Sequence, residues 1–265
     1  MSNQNKYVLI TGGSSGIGYE LSKLFARDGY NLIIVARDEV ELDTTRRELQ
    51  ETYLTNVITI SKDLFNRESS YEIYNEVKSR GITVDILVNN AGQGQYGEFI
   101  HNDIDRELDI IELNVVSLVI LTKLFVREMV ERGEGKVLFT ASIASKLPGP
   151  LNAVYHATKA FVHSFAEALR SEINDRGITV TSLLPGATDT DFFRKAEMED
   201  AKIVQESSLS DPADVAKDGY EALMSGDDMV VSGFKNKMQV GMSNIIPDET
   251  VANMMKKQQE PVEEK

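Results

Sequence analysis

Over its first ninety or so residues the chain alternates short β-rich apolar runs with segments of helical periodicity, and that alternation limits what it can fold into. Residues 6–11 (KYVLIT), 31–36 (NLIIVA), 56–60 (NVITI) and 84–88 (VDILV) read as buried strands. Between the first two, Ile17, Leu21, Leu24 and Phe25 recur at i, i+4, i+7 and i+8, one face of a helix ending near Gly29. Charged helices follow over residues 38–53 and 68–80. Strands separated by whole helices cannot pair as hairpins. They pair through crossovers, which gives a parallel sheet with helices on both faces.

The second half continues the pattern. Residues 103–131 read as helical with a break near Asn114, and residues 136–140 as a strand. A helix over 153–176 buries Val162, Ala166, Leu169 and Ile173, and residues 178–184 form the next strand. Asp211-Pro212 caps and opens a further helix, and residues 228–231 form a short last strand. The expected fold is α/β: a doubly wound Rossmann-type parallel sheet of about seven strands. Nothing resembles a linker or a repeat. Residues 1–233 read as one domain with a substrate loop over 188–210, and residues 234–265 as a C-terminal helical extension. That extension carries Met238, Met242, Ile245, Ile246, Val251, Met254 and Met255, and it ends in an acidic stretch expected to be disordered.

Charge and composition exclude several functions. The formal net charge of −14 argues against nucleic acid as a partner. Between Thr188 and Asp228 twelve acids face four bases, a balance of −8 that reads first as solvated helix faces; the alternative is a region that discourages strongly anionic substrates. The chain has no cysteine, so thiolate chemistry is excluded, and its three histidines have no acid at ligand spacing, so no metal site is expected. The polar start and the short apolar runs imply no membrane insertion and a cytoplasmic protein. The apolar run 115–121 hints at a homodimer or homotetramer.

The first strand runs into Thr11-Gly12-Gly13-Ser14-Ser15-Gly16-Ile17-Gly18. A glycine-rich strand-to-helix turn lets backbone approach a pyrophosphate, and the helix N-terminus behind it offers free N–H groups. The second strand ends in Ala36-Arg37-Asp38. Arg37 suits a ribose 2′-phosphate, hence NADP(H); Asp38 on the ribose, with Arg37 in solvent, would give NAD(H) instead. Asp63 and Leu64 end the third strand, where an adenine would lie, and Asn90, Ala91 and Gly92 end the fourth. Ligands of open parallel sheets gather outside these carboxyl ends.

The pattern Tyr-x-x-x-Lys occurs three times, at Tyr19/Lys23, Tyr74/Lys78 and Tyr155/Lys159. Only the third has a strand-end serine upstream, Ser142, with Ser145 as a competitor further into the loop. Taken together, the glycine turn, Asn89-Asn90-Ala91-Gly92, Asn114, Ser142, Tyr155-His156-Ala157-Thr158-Lys159 and Pro185-Gly186 resemble the short-chain dehydrogenases/reductases over residues 6–231. The resemblance implies a catalytic set of Asn114, Ser142, Tyr155 and Lys159. It also implies a nicotinamide cofactor held by Thr11, Gly12, Ser14, Ser15, Gly16, Ile17, Gly18, Arg37, Asp63, Leu64, Asn90, Ala91, Gly92, Tyr155, Lys159, Pro185, Gly186 and Thr188, with Thr190 as an alternative to Thr188.

The chemistry follows from the residues. Hydride transfer to a carbonyl leaves an oxyanion that needs a proton. A free Tyr has a pKa of about 10, so exchange near neutral pH requires roughly three units of lowering by nearby positive charge, from Lys159 and the oxidised nicotinamide. Ser142 steadies the substrate oxygen, Asn114 holds a water that relays protons to Lys159, and His156 is given no role. The expected reaction is NADP-dependent interconversion of a ketone or aldehyde and an alcohol. Substrate walls are expected from residues 93–99, 147–152 and 188–209, where Tyr96, Phe99, Leu147, Phe192 and Phe193 fit an apolar small-molecule substrate and fit ordinary core or lid packing equally well. Rival readings are a regulator that binds NADP(H) without turnover, an epimerase or dehydratase using the same Tyr/Lys pair, and a methyltransferase with that pair idle.

Overall fold

A computed structural model describes residues 3–206, 208–243 and 246–262. Ser207 of the expected substrate loop, Ile245 and the acidic end at 263–265 lie outside the described residues.

The first half follows the β-α alternation: β1 (Tyr7–Thr11), α1 (Gly16–Arg27), β2 (Asn31–Ala36), α2 (Glu39–Tyr53), β3 (Val57–Ser61), α3 (Glu68–Ser79) and β4 (Val84–Asn89). Next come α4 (Ile104–Ile111), a π-helical turn (Glu112–Val116) and α5 (Ser117–Arg132). The expected break near Asn114 is that π-turn, a form often found at functional positions. The second half holds β5 (Gly135–Thr140), a 3₁₀ turn (Ile143–Lys146), α6 (Ala153–Ile173) and β6 (Ile178–Leu184). Two one-turn helices, α7 (Phe192–Lys195) and α8 (Lys202–Gln205), precede α9 (Pro212–Ser225) and β7 (Met229–Val231). Helices α10 (Phe234–Ser243) and α11 (Asp248–Gln259) close the chain.

The strands form one parallel sheet in the order β3-β2-β1-β4-β5-β6-β7. The order reverses between β1 and β4, so a crevice opens above their carboxyl ends. Strand alternation divides the core in two. Leu9, Ile33 and Val35 join Phe125, Phe139 and Val162 on one face. Val8, Ile10, Leu32 and Ile34 join Leu21, Phe25 and Leu42 on the other. Each fully buried Leu or Ile contributes about 1.5–3 kcal/mol, and both faces are tiled with them. Val240, Val251 and Met255 of the C-terminal helices belong to the first of these clusters.

The run 115–121 supplies core rather than surface: Leu118 and Leu121 are buried. Exposed apolar side chains lie instead on α4, at Ile104, Leu108 and Ile111. Among the described residues no helix is long and apolar enough to cross a membrane.

His163 of α6 is buried against β6, with Nδ1 at 3.3 Å from Ser182 Oγ. Burial pushes its pKa down to about 4, while the unfolded imidazole titrates near 6.5. Between those values the unfolded chain binds the proton and the folded chain does not, so stability falls as pH drops from about 6.5 toward 4. Melting temperatures measured across that window should decline less steeply in His163→Gln than in the wild type.

Candidate active site

The crevice is a cavity of about 810 Å³. Its floor depends on how β1, β4 and β5 end. Thr11 Oγ1 accepts the backbone N–H groups of Asn90 and Ala91, both at 3.0 Å. Asn90 Nδ2 donates back to Thr11 O at 3.0 Å and Gly12 O at 3.2 Å, and Thr140 Oγ1 donates to Asn90 Oδ1 at 3.2 Å. Three strand ends are thereby stapled side by side. Thr11 is itself buried behind the wall, so its part is to hold the turn.

The glycine turn follows. Gly12 has a φ of +64°, open to glycine at little cost. A Cβ on Gly18 would collide with the carbonyl oxygen of Gly12, so only glycine lets α1 begin so close to the strand end. Ser15 occupies the N-cap position of α1 with no side-chain cap. The first N–H groups of the helix are thus left for an anion at the cleft, which Ser14, Ser15, Gly16 and Ile17 line.

At the end of β2, Asp38 is taken up as the N-cap of α2, accepting from the N–H groups of Val40 and Glu41 at 2.9 and 3.0 Å. The Arg37 guanidinium lies 4.9 Å from the Phe65 ring centroid and 3.9 Å from Asp63 Oδ2, and its side chain is half exposed. Arg37, Asp63, Leu64 and Phe65 all line the cleft, as does Glu41, whose carboxylate accepts from Ser14 Oγ at 3.1 Å.

The other end of the cleft holds Ser142, Tyr155 and Lys159. Ser142 is the extended residue capping the 3₁₀ turn, where its Oγ accepts from Ala144 N at 3.1 Å. Its Oγ donates to Pro185 O at 3.3 Å and stands near enough to the Tyr155 phenol to draw that phenol's pKa down, whereas Ser145 Oγ turns back to Ser142 O at 2.6 Å. Tyr155 and Lys159 share one face of α6. Burial pushes the Tyr155 phenol up to about 12, against the pull of Ser142. Burial lowers Lys159 to about 8, and its Nζ donates to Thr140 O at 2.7 Å and lies 5.8 Å from the Tyr155 ring centroid. In this structure the phenol is therefore held protonated, not lowered toward neutrality.

Asn114 stands in the π-turn beside this group. Its Nδ2 donates to Gln93 O and Thr158 Oγ1, both at 2.9 Å, and its Oδ1 accepts from Gln93 N at 3.0 Å. Thr158 Oγ1 in turn donates to Tyr155 O at 2.7 Å. Both amide hydrogens are engaged, so a relay water would have one Oδ1 lone pair to bind.

Of the expected catalytic and cofactor-holding residues, all but Thr11, Gly18 and Asn114 line the cleft. Ala91, Gly92, Pro185, Gly186 and Thr188 form its wall between the two ends. Thr188 Oγ1 donates to Gly186 O at 3.0 Å, and Thr190 lines the cleft near Gly16. Phe192, Phe193 and Met198 roof the Tyr155 end, with Phe192 at 4.9 Å from the Tyr155 ring centroid. Tyr96 packs against that roof but Phe99 is exposed, away from the cleft. Asn152, at the end of the expected 147–152 wall, also lines it, as do His156, Gln239, Met255 and Gln259, which were not expected. His156 faces the cleft because the 3₁₀ turn wraps around it, which helix periodicity alone does not reveal. Among the described residues no group of His, Asp or Glu could hold a metal ion.

Comparison with known proteins agrees with this layout. The sequence profile of the short chain dehydrogenase family matches residues 6–201. The chain is 33% identical over 190 residues to very-long-chain 3-oxoacyl-CoA reductase-B of Danio rerio, covering 69% of this chain and 60% of that protein. It thus spans only about 60% of that relative's length. It is 30% identical over 241 residues to dehydrogenase/reductase SDR family member 7B of Danio rerio, covering 87% and 78% of the two chains. A short-chain dehydrogenase from Sphingobium yanoikuyae, solved in complex with NADPH, superposes with a TM-score of 0.81 at 26% identity, covering 91% of this chain and 96% of that one. The alcohol dehydrogenase of the archaeon Thermococcus sibiricus, complexed with 5-hydroxy-NADP, gives 0.75 at 26%, covering 85% and 95%.

The Gly18 contact is with backbone, which has no way to yield locally. Gly18→Ala should abolish dinucleotide binding measured by calorimetry and lower the melting temperature, whereas Gly29→Ala, at an open turn outside the cleft, should leave binding unchanged.

Proposed function

The chain belongs to the short-chain dehydrogenase family, and we propose that it is an NADP(H)-dependent oxidoreductase interconverting a carbonyl compound and an alcohol. The observation that carries this reading is the convergence of Ser142, Tyr155 and Lys159 at one end of a cleft whose other end is a glycine cradle.

The residues present fit a dinucleotide. The open N-terminus of α1 with Ser14, Ser15, Gly16 and Ile17 suits a pyrophosphate. Arg37 is available for a 2′-phosphate because Asp38, the residue that would favour NAD(H), is committed to capping α2. Asp63 and Leu64 suit the adenine, and Tyr155 and Lys159 the nicotinamide ribose. Asn90, Ala91, Gly92, Pro185, Gly186 and Thr188 surround the nicotinamide end. When bound, a nicotinamide supplies or removes the hydride at the substrate carbon.

The protein's share is proton handling. With its pKa pushed up to about 12, Tyr155 carries a proton at neutral pH and donates it to the oxygen that gains charge. Ser142 Oγ hydrogen-bonds the same oxygen and aligns it with the phenol. The phenolate left behind faces the Lys159 ammonium. The ammonium lies 5.8 Å from the centroid of that ring, and a positive charge so placed favours the phenolate against the burial that opposes it. Asn114 acts by bracing Gln93 and, through Thr158, the helical turn that carries Tyr155.

The roof of Phe192, Phe193 and Met198 favours an apolar substrate. Residues 1–233 are read as the catalytic domain and the C-terminal extension as part of its cover. The exposed apolar side chains of α4 favour a homo-oligomer.

Consumption of NADPH across ketones, aldehydes and acyl-thioester ketones tests the activity. No consumption with any of them would overturn it in favour of a non-turnover or redox-neutral role. Tyr155→Phe should cut turnover at least about a hundredfold, the lower end for a general acid, with NADPH binding near wild type. Unchanged turnover would remove Tyr155 from the chemistry. Arg37→Ala should weaken NADPH binding much more than NADH binding; equal losses would exclude the phosphate contact.

A further inference from the structure

We propose that the last turn of α11 supplies a substrate-reading residue: Gln259, its amide oriented by His156, accepts a hydrogen bond from an O–H or N–H group of the carbonyl substrate, with Asn152 as a second acceptor nearer the phenol. This deepens the reading above and rests on it for the identity of the cleft as the substrate site.

The orientation of Gln259 follows from its neighbours. His156 Nδ1 lies 2.8 Å from the carbonyl oxygen of Leu147, which can only accept, so Nδ1 carries the hydrogen. His156 is buried, and burial holds its pKa below the ordinary histidine value. The ring is neutral and Nε2 is bare. The Gln259 atom 3.2 Å from Nε2 is therefore the amide nitrogen, donating. That leaves Gln259 Oε1, an acceptor shielded from solvent and without a partner, on a residue that is only 2% exposed and lines the cleft.

The backbone of this turn is anchored, so the amide is held in place. Tyr96 Oη donates to Gln259 O at 2.5 Å, and Lys202 N donates to Glu260 O at 3.0 Å. Asn152 repeats the pattern on the opposite side. It is 3% exposed, its Nδ2 reaches only Met198 Sδ at 3.8 Å, and its Oδ1 has no partner. A Cβ placed on Gly94 would lie 3.3 Å from that Oδ1, 3.4 Å from Tyr155 Cδ2 and 3.0 Å from Phe192 Cζ, so Asn152 Oδ1 sits beside the reacting end. Buried acceptors are costly to leave unpaired. Two of them in residues that line the cleft select a ligand that brings donors. The substrate class is a carbonyl compound with a hydroxyl or amide N–H at a distance from the reacting carbon.

Matched ligands test this: 2-, 3- and 4-hydroxyacetophenone against the corresponding methylacetophenones. Calorimetry reads binding without turnover, with NADP⁺ present and again without it. The wild type should bind at least one hydroxy ketone about tenfold tighter than its methyl partner, since a site with buried polar groups rejects the analogue that cannot pair them. Gln259→Leu should bring that pair within about twofold. Gln259→Met, unbranched and of similar length, repeats the test if the Leu variant melts early. No preference at any ring position in the wild type, or a preference kept in both variants, would overturn the proposal. Failure of the activity itself reads separately, as wild-type protein that consumes no NADPH with either set.

Discussion

The hydrogen bonds between Thr11 and Asn90 hold the strand ends on which the cleft depends. β1 and β4 are neighbours in the sheet but belong to different crossovers, so their chains leave in opposite directions. That divergence opens the crevice, and it would also let the two strand ends splay. The Thr11 hydroxyl takes two N–H groups from the turn after β4, and the Asn90 amide returns two bonds to the turn after β1. Thr140 extends the staple to β5. The glycine cradle and the Ser142 turn are thereby set on one rigid floor.

Burial then gives that floor its chemistry. The same phenol-to-ammonium spacing occurs on three helices and has three outcomes. The Tyr19 hydroxyl bonds Glu48, and Tyr74 and Lys78 both bond Glu128; burial and then Glu48 raise the pKa of Tyr19, and Glu128 raises that of Tyr74, so each phenol shares its proton with a fixed anion. Tyr155 has no carboxylate partner and is closed under Phe192, so its proton is held by desolvation, against the pull of Ser142. A proton kept by desolvation can be released when charge appears next to it; one shared with a fixed anion cannot. Lys159 is likewise poised by burial, with a backbone carbonyl as its hydrogen-bond acceptor.

Much of this was legible in the sequence because it depends on local pattern. Alternating apolar runs define the strands and glycine spacing defines the phosphate turn. Asp38 next to Arg37 reads as a cap because the helix pattern begins just after it, and it is a cap. The break at Asn114 was legible too, although its π form was not, since that form is defined by backbone hydrogen bonds from i to i+5 and not by side-chain pattern. The run 115–121 was legible as a buried helix from its apolar content, and Leu118 and Leu121 do face inward. The surroundings of His156 were not legible, because they come from the 3₁₀ turn and from α11, 103 residues away from it at Gln259.

The sequence by itself determined a parallel sheet covered on both faces, a glycine turn at its first strand end and a Ser-Tyr-Lys set further along, since each is written in contiguous residues and short-range sterics. Only the tertiary structure decided which Tyr-x-x-x-Lys pair is buried without an acid, and that Asn114 braces backbone with its side chain already engaged. Only it, too, brought the chain's last helix to close the cleft with Gln259. Those outcomes depend on which distant side chains exclude water from a group, and desolvation is a property of the packed whole.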